Sequence, residues 1–395
     1  MIRESAVKIL HVIPSADPTS GGPIEFVTRL SAQLSIDGHS IHLVTLDDQS
    51  VMTNSNHFAS VTQLGRGFGG YRCNLRLVHW LYQNARSFDA VVIDGLWQFH
   101  GAAALIALGL RGVRYHVFSH GMLDPWFKRT YPLKHIKKLA YWCLIERHLL
   151  KRAASVIFTC EAERLLARES FPFYEVNEVI SVLGTARPPE VAVPKNATGI
   201  RSTAKKIVFL SRIHEKKGCD LLLEAFANLA SIHPEYELVI AGPGEASLVR
   251  RLKERAHRLQ IADRVTWCGM VSGMEKWSLL RSADVFCLPS HQENFGIAVI
   301  EALACGIPTL ITNKVNIWHE IVESGAGIAD DDSVEGVLTM LSKWASLSDG
   351  ERDAMRKAAS LCFETKFHIE RASENYMSIL ALKKNDRFHV EKYSN

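Results

Sequence analysis

Short apolar runs alternate with segments of helical period along most of this chain, and the alternation is broken only once. Residues 7–13 form a nearly continuous apolar run, as expected for a strand buried on both faces. After the turn-rich residues 15–22, Pro23 suits the first position of a helix in which Ile24, Val27, Leu30 and Leu34 recur at helical spacing until Asp37 and Gly38 stop it. Residues 40–46 are the next strand, so strand, glycine loop, helix and strand make one right-handed parallel unit. The pattern predicts further helices over 75–86, 100–110, 133–152 and 161–169, and strands over 89–93, 115–119, 155–159 and 178–182. Residues 183–204 break it, with Gly184, Pro188, Pro189, Pro194 and Gly199 and little periodicity, and read as an interdomain linker. A second series follows, with strands over 206–210, 236–241, 264–267, 284–288 and 307–311 and helices over 217–230, 245–259, 273–281 and 296–304. Beyond about residue 333 only helical patterns remain. The expected class is α/β: two Rossmann-like, doubly wound domains facing each other across a cleft.

Length agrees, since 395 residues are more than one core usually organises. A mean hydropathy of +0.01 indicates a soluble globular chain. The formal charge of +4 is too small to argue nucleic-acid binding, and its excess lies in residues 1–195, with 21 Lys/Arg against 16 Asp/Glu. Eight scattered cysteines form no C-x-x-C pair and no zinc-like spacing, and most are expected as buried free thiols in a reducing compartment. The longest uncharged stretch, 95–110, contains Gln98 and His100, so no membrane-spanning helix is expected. The apolar run near the N-terminus is too short for a secretory signal.

Two carboxylates, Glu293 and Glu301, stand eight residues apart around a helix that opens near Gly296. Helical rise would separate them by about 12 Å, too far for the acid and base pair of a glycosidase, which needs about 5 to 9.5 Å. They suit instead the two ends of one long ligand, with a phosphate at the helix start between them, and a nucleotide sugar has that layout. The plainer reading is an ordinary helix glutamate and a surface loop residue. Gly21 and Gly22 follow the first strand without the G-x-G-x-x-G of a dinucleotide site, which disfavours NAD and leaves either close backbone approach to a ligand or a plain turn. Arg212 and Lys217 leave the first strand of the second series, at the edge where open sheets bind ligands, and two cations there would offset charge on a departing diphosphate. Lys216 is the bystander. The turn Gly242-Pro243-Gly244 needs no ligand to explain it.

The run E-x7-E into E-A-x-A-x-G-x-P, from Glu293 to Pro308, resembles the signature of retaining glycosyltransferases of GT-B family 4. Ser211 to Gly218 matches that family's S-R-x-x-x-x-K-G, and His120 to Trp126, H-G-M-L-x-P-W, is similar to a subgroup that builds bacterial surface polysaccharides. The resemblance implies a GT-B architecture, with an acceptor-side domain at 1–185, a linker at 186–204, a donor-nucleotide domain at 205–367 and a C-terminal helix, about 368–395, crossing back onto the first domain. It places Glu301 on the ribose, Arg212 and Lys217 on the diphosphate, and Asn294, Phe295, Gly296 and Ile297 on the phosphate or sugar hydroxyls. Glu293 touches the sugar, Gly242 lies near the nucleotide, and Met270 lies where relatives hold the base through backbone groups. Gly21 and Gly22 face the donor phosphate, and His120 meets the donor sugar or phosphate. Glu293, His120, Arg212 and Lys217 are thus the catalytic candidates.

Trp97 and Trp126 lie at strand ends, as acceptor-stacking residues or as buried aromatics. Residues 128–152 carry eight Lys/Arg against one acid, Glu146, which suits either an anionic membrane surface or a solvated face over a core-packed helix. Asp330-Asp331-Asp332 contains a D-x-D, but acids also suit the helix start that follows, and neither a metal nor any other cofactor is expected. The substrates implied are a UDP- or GDP-sugar and a glycan or lipid-linked acceptor, on a cytoplasmic enzyme that is peripheral at the inner face of the membrane if the basic helix docks there. Nucleic acid is not an expected partner. Two alternatives of other classes stand beside this one, a nucleotide-sugar epimerase of the same fold and a non-catalytic nucleotide-sugar-binding subunit.

Overall fold

The computed structural model describes residues 6–17, 21–51, 55–126, 128, 132–190 and 204–381. The chain divides into two compact units, residues 1–184 with 369–395, and residues 185–368. Most of the expected linker, 191–203, lies outside the described residues.

The first unit is a seven-stranded parallel sheet in the order β3-β2-β1-β4-β5-β6-β7. Its strands are β1 (Lys8–Val12), β2 (Ser40–Thr45), β3 (Ser60–Gln63), β4 (Ala90–Asp94), β5 (His116–Phe118), β6 (Ser155–Phe158) and β7 (Glu178–Ile180). Connecting helices are α1 (Gly22–Ile36), α2 (Leu75–Asn84), α3 (Phe99–Arg111), α4 (Pro132–Tyr141), α5 (Arg147–Arg152) and α6 (Glu161–Ala167). Alternation along β1 sends Leu10 and Val12 into the core shared with α2 and α3. The opposite face of the strand carries His11, which is fully buried.

The second unit is a six-stranded parallel sheet in the order β10-β9-β8-β11-β12-β13. Its strands are β8 (Lys205–Leu210), β9 (Tyr236–Ala241), β10 (Val265–Gly269), β11 (Val285–Leu288), β12 (Thr309–Thr312) and β13 (Gly327–Asp330). The helices are α7 (Cys219–Ile232), α8 (Ala246–Arg258), α9 (Gly273–Arg281), α10 (Ile297–Ala304), α11 (Trp318–Glu323), α12 (Val334–Ser346) and α13 (Asp349–Cys362). A last helix, α14 (Ile369–Ala381), packs on α1 of the first unit.

The expected architecture of two parallel, doubly wound sheets is therefore present. In each, the strand order reverses at one point, between β1 and β4 in the first unit and between β8 and β11 in the second, and the loops leaving those strands diverge there. Four features depart from the sequence reading. β3, β13 and α11 fall where the sequence pattern assigns no element, and the single helix expected over 133–152 is interrupted by a π turn at Trp142–Glu146. That turn buries both Trp142 and Glu146 while Cys143 and Leu144 stay exposed.

Gly218 shows how tightly the second switch point is built. It sits at φ +65°, and a Cβ there would lie 1.9 Å from the carbonyl oxygen of Pro289. Gly218→Ala should therefore cost more than about 2 kcal/mol of unfolding free energy. Gly109→Ala, at an exposed helical site with nothing within 4 Å, should gain about 0.5–1 kcal/mol. Chemical denaturation checks both, and equal effects would mean that the close approach at Gly218 is not real.

Candidate active site

In the second unit the loop after β8 is fixed by its neighbours. Ser211 N–H donates to Ala241 O (3.1 Å) and Ile213 N–H to Pro243 O (2.7 Å). Gly242, at φ +135°, has no room for a side chain, since a Cβ would lie 1.9 Å from Ser211 O. Packing alone thus accounts for that glycine. Arg212 emerges exposed, with no hydrogen bond or ion pair to another described residue, and lines a cavity of about 450 Å³ with His214, Glu215, Gly244 and Arg251. The chain then makes a tight turn at Glu215–Lys217, where the His214 side chain accepts from Lys216 N–H (3.2 Å).

The loop after β11 meets this turn. His291 N–H donates to Lys216 O (2.8 Å), Lys216 Nζ lies 3.3 Å from Gln292 Oε1, and Lys217 Nζ forms an ion pair with Glu293 Oε2. Backbone bonds hold Glu293 from its other side: its N–H donates to Lys314 O (3.0 Å) and its carbonyl accepts from Asn316 N–H (3.1 Å). Gly296, at φ +79°, turns the chain into α10. A Cβ there would lie 3.0 Å from Val299 Cγ2 and 3.3 Å from Glu293 Cγ. Asn294 lies ahead of this turn, with its Oδ1 3.4 Å from Asn316 Nδ2. Phe295 is buried edge-on to Phe367, with ring centres 5.8 Å apart. Ile297 opens the helix, and Glu301 lies within it, 3% exposed, with Oε1 2.7 Å from Lys276 Nζ of α9. Met270 follows β10 and is 73% exposed. The structure thus brings Lys217, Glu293 and Gly296 together and seats Glu301 in the same helix that Gly296 starts.

In the first unit Asp94 ends β4, fully buried, between His11 Nδ1 (2.7 Å) and His120 Nε2 (2.9 Å). Burial pushes its carboxyl up, but the pull of His11 and the hydrogen bonds from His11 and His120 outweigh this and hold it down at about 2. His100, buried and bonded through Nε2 to Asp94 O and Gly95 O, is pushed down to about 4 by burial. The turn carrying His120 is held by Glu163, which accepts from Ser119 Oγ (2.6 Å), Gly121 N–H (2.7 Å) and Thr159 N–H (2.7 Å). A cavity of about 430 Å³ opens at this switch point, lined by Ser15, Arg72, Asp94, Trp97, Gln98 and Met122 among others. Gly21 adopts φ +100°, and among the described residues nothing lies within 4 Å of a Cβ built on it or on Gly22.

Trp97, at φ +72°, donates its backbone N–H to Glu146 Oε1 (2.6 Å) and its indole N–H to Met122 O (3.0 Å), and Lys138 Nζ lies 4.6 Å from its ring centre. Its ring is thus committed to local packing while it also lines the cavity. Trp126 is half-buried, with its N–H donating to Asp124 Oδ1 (2.7 Å). Over 128–152 the exposed side chains include Ile136 and Leu144 as well as Lys137, Lys151 and Arg152. The acids of the D-x-D are each engaged: Asp330 near Lys343 (3.8 Å), Asp331 with Asn313 (2.5 Å) and Asp332 with His291 (3.0 Å). Sequence reasoning missed His11, Glu146, Glu163, Lys276 and Tyr376. Glu146 carried a signal, as the one acid in a basic helix.

Two family models match the chain, "Glycosyl transferases group 1" over residues 193–360 and "Glycosyl transferase 4-like domain" over residues 21–182. A D-inositol 3-phosphate glycosyltransferase of Segniliparus rotundus is 33% identical over 165 residues, 41% of this chain and 34% of that protein. An uncharacterized glycosyltransferase of Haemophilus influenzae is 28% identical over 293 residues, 73% of this chain and 75% of that protein. The match thus spans about a third of the first relative's length and three quarters of the second's. The solved structure of Anabaena HepE in complex with UDP-glucose aligns with a TM-score of 0.76 at 16% identity, over 95% of this chain and 100% of that one, which is a likeness of fold.

Glu146 gives a direct test of the first unit. Burial raises its carboxyl from 4.5 to about 7, against the opposing hydrogen bond from Trp97 and the charge of Lys138. Between those values the native protein keeps a proton that the unfolded chain has released, so this group's contribution to stability is lost as pH rises through about 7. In Glu146→Gln the unfolding free energy should gain on wild type steadily from pH 4.5 to 7. A difference that does not change with pH would show that Glu146 titrates normally.

Proposed function

The chain belongs to the GT4-type glycosyltransferases, and we propose that it moves a sugar, with retention of anomeric configuration, from a nucleoside-diphosphate sugar to a glycan or lipid-linked acceptor. The observation that carries this reading is the juxtaposition of Lys217 and Glu293 at the second unit's switch point, beside the Gly296 helix start and next to an exposed, uncommitted Arg212. A diphosphate placed there would meet the positive end of α10 and Arg212, and could draw Lys217 away from Glu293. Glu293 would then be freed beside the sugar. Glu301 would reach the ribose, and the backbone around Met270 and Gly242 the base. The HepE complex with UDP-glucose supports a nucleotide-sugar donor.

In the proposed transfer the bond between the anomeric carbon and the diphosphate oxygen breaks, and a bond to the acceptor oxygen forms on the same face. The acceptor's proton passes to the leaving diphosphate. Arg212 and Lys217 stabilise the charge that gathers there, and His120 is the candidate for a further contact to the donor sugar or its phosphate. No metal takes part in this reading, which the lysine and histidine partners of the nearby acids support. In this reading the enzyme works in the cytoplasm and meets a lipid-linked acceptor at an anionic leaflet, which the exposure of Ile136, Leu144 and the adjoining cations supports.

The test is release of nucleoside diphosphate from a panel of UDP- and GDP-sugars, with acceptor extract presented in anionic vesicles and with chelator present. Acceptor-dependent release that survives chelation, with an axial or equatorial product bond matching the donor, is expected, as is co-sedimentation with the vesicles. Arg212→Ala should lower turnover about 10² to 10³-fold. Donor consumption without acceptor would favour an epimerase, and nucleotide binding without turnover a binding subunit.

A further inference from the structure

Tyr376, His11, Asp94 and His120 form one buried hydrogen-bonded chain within the first unit. Tyr376 comes from α14, His11 from the middle of β1, Asp94 from the end of β4, and His120 from the turn after β5. Tyr376 Oη lies 3.1 Å from His11 Nε2, His11 Nδ1 2.7 Å from Asp94 Oδ2, and His120 Nε2 2.9 Å from Asp94 Oδ1. Tyr376, His11 and Asp94 are at most 1% exposed, and the side chain of His120 is 4% exposed.

Chemistry assigns the hydrogens. An ionised carboxylate only accepts, so His11 must donate through Nδ1 and His120 through Nε2. In neutral His11, Nε2 is then the acceptor for the Tyr376 hydroxyl, whose proton is retained because burial holds the phenol well above its ordinary range. The ring of His120 is fixed further by Phe118, stacked at 4.3 Å and 11°, and by the edge of Phe26 at 6.1 Å. Its backbone adopts φ +49°, a left-handed conformation that a non-glycine residue keeps only where its surroundings over-determine it. Asp94 meanwhile lines the 430 Å³ cavity, so this ordering reaches the surface a ligand would touch.

We propose that Asp94, His11 and Tyr376 are positioning residues that hold His120 as its Nε2–H tautomer, leaving Nδ1 as the ring nitrogen that addresses the ligand. The carboxylate sets tautomer and ring orientation together, as one acid paired to a working imidazole does elsewhere. Tyr376 and His11 keep that carboxylate in place from its other oxygen. The proposal rests on the glycosyltransferase reading only for what Nδ1 meets, and the tautomer follows from the chain itself.

Nitrogen-15 spectra of the histidine rings in the full-length protein test it, with His120→Gln and His11→Gln used to assign signals. In the high-pH limit His120 should carry its hydrogen on Nε2 and His11 on Nδ1. Asp94→Asn should mix the His120 tautomers and lower kcat about 10- to 100-fold, with the KM for the nucleotide sugar unchanged. Tyr376→Phe, which keeps the ring, should shift the His11 Nε2 signal and lower kcat by less. A wild-type His120 with its hydrogen on Nδ1 would overturn the proposal, as would Asp94→Asn with the wild-type tautomer and kcat. If Asp94→Asn does not fold, the wild-type spectrum and Tyr376→Phe decide. Failure of the wild type to turn over any nucleotide sugar would count against the glycosyltransferase reading, while the spectra still judge the tautomer.

Discussion

The ion pair between Lys217 and Glu293 joins residues 76 apart in sequence, and it forms because β8 and β11 are neighbours at the point where the strand order reverses. Their outgoing loops would otherwise diverge. A glycine at 218 lets the first loop press against the Pro289 carbonyl, and backbone bonds from Lys314 and Asn316 hold the second. The two side chains are 14% and 19% exposed, so the pair is sheltered but still within reach of solvent or a ligand. Separating a pair that solvent still reaches costs less than breaking a fully buried one, and the proposed exchange of Glu293 for a diphosphate on Lys217 depends on that difference.

The first unit uses the same topology with opposite electrostatics. At its switch point, between β1 and β4, the charge is a fully buried carboxylate held by two imidazoles. Glu163 and Glu146 extend this pattern, each turning a buried carboxyl toward backbone N–H groups of a cavity-lining turn. Removing one partner from such a network strands the others without water, so these residues define geometry more than they exchange partners. One switch point carries a partly exposed ion pair, and the other keeps a histidine and a tryptophan at positive φ.

Most of this framework was legible because parallel strands buried on both faces read as continuous apolar runs, and the helices between them show clear periodicity. β3 and β13 escaped for the converse reason. Ser60–Gln63 is an edge strand with no buried residue, and Gly327–Asp330 is short, with only its glycine buried. The π turn at Trp142–Glu146 keeps a helical pattern on either side and leaves no break to read. Among candidate site residues, Arg212, Lys217, Glu293 and His120 could be named because they follow strands in recognisable spacing, and Glu301 from its interval to Glu293 within the helix that Gly296 starts. His11 and Tyr376 were not, since one sits inside an apolar strand and its partner lies 365 residues away. Contacts between distant positions leave no trace in a single sequence. The resemblance puts Gly242 near the nucleotide, and the structure gives it a packing reason against Ser211 O, as it gives Gly218 one against Pro289 O.

The central claim is that the loops after β8 and β11 together form the nucleoside-diphosphate site. Amide hydrogen exchange of the full-length protein with and without UDP or GDP measures this without any knowledge of the acceptor. The account predicts that the nucleotide that binds slows exchange in residues 211–218 and 289–300 at once. Binding that leaves both segments unchanged, or protects only residues elsewhere in the chain, would contradict it.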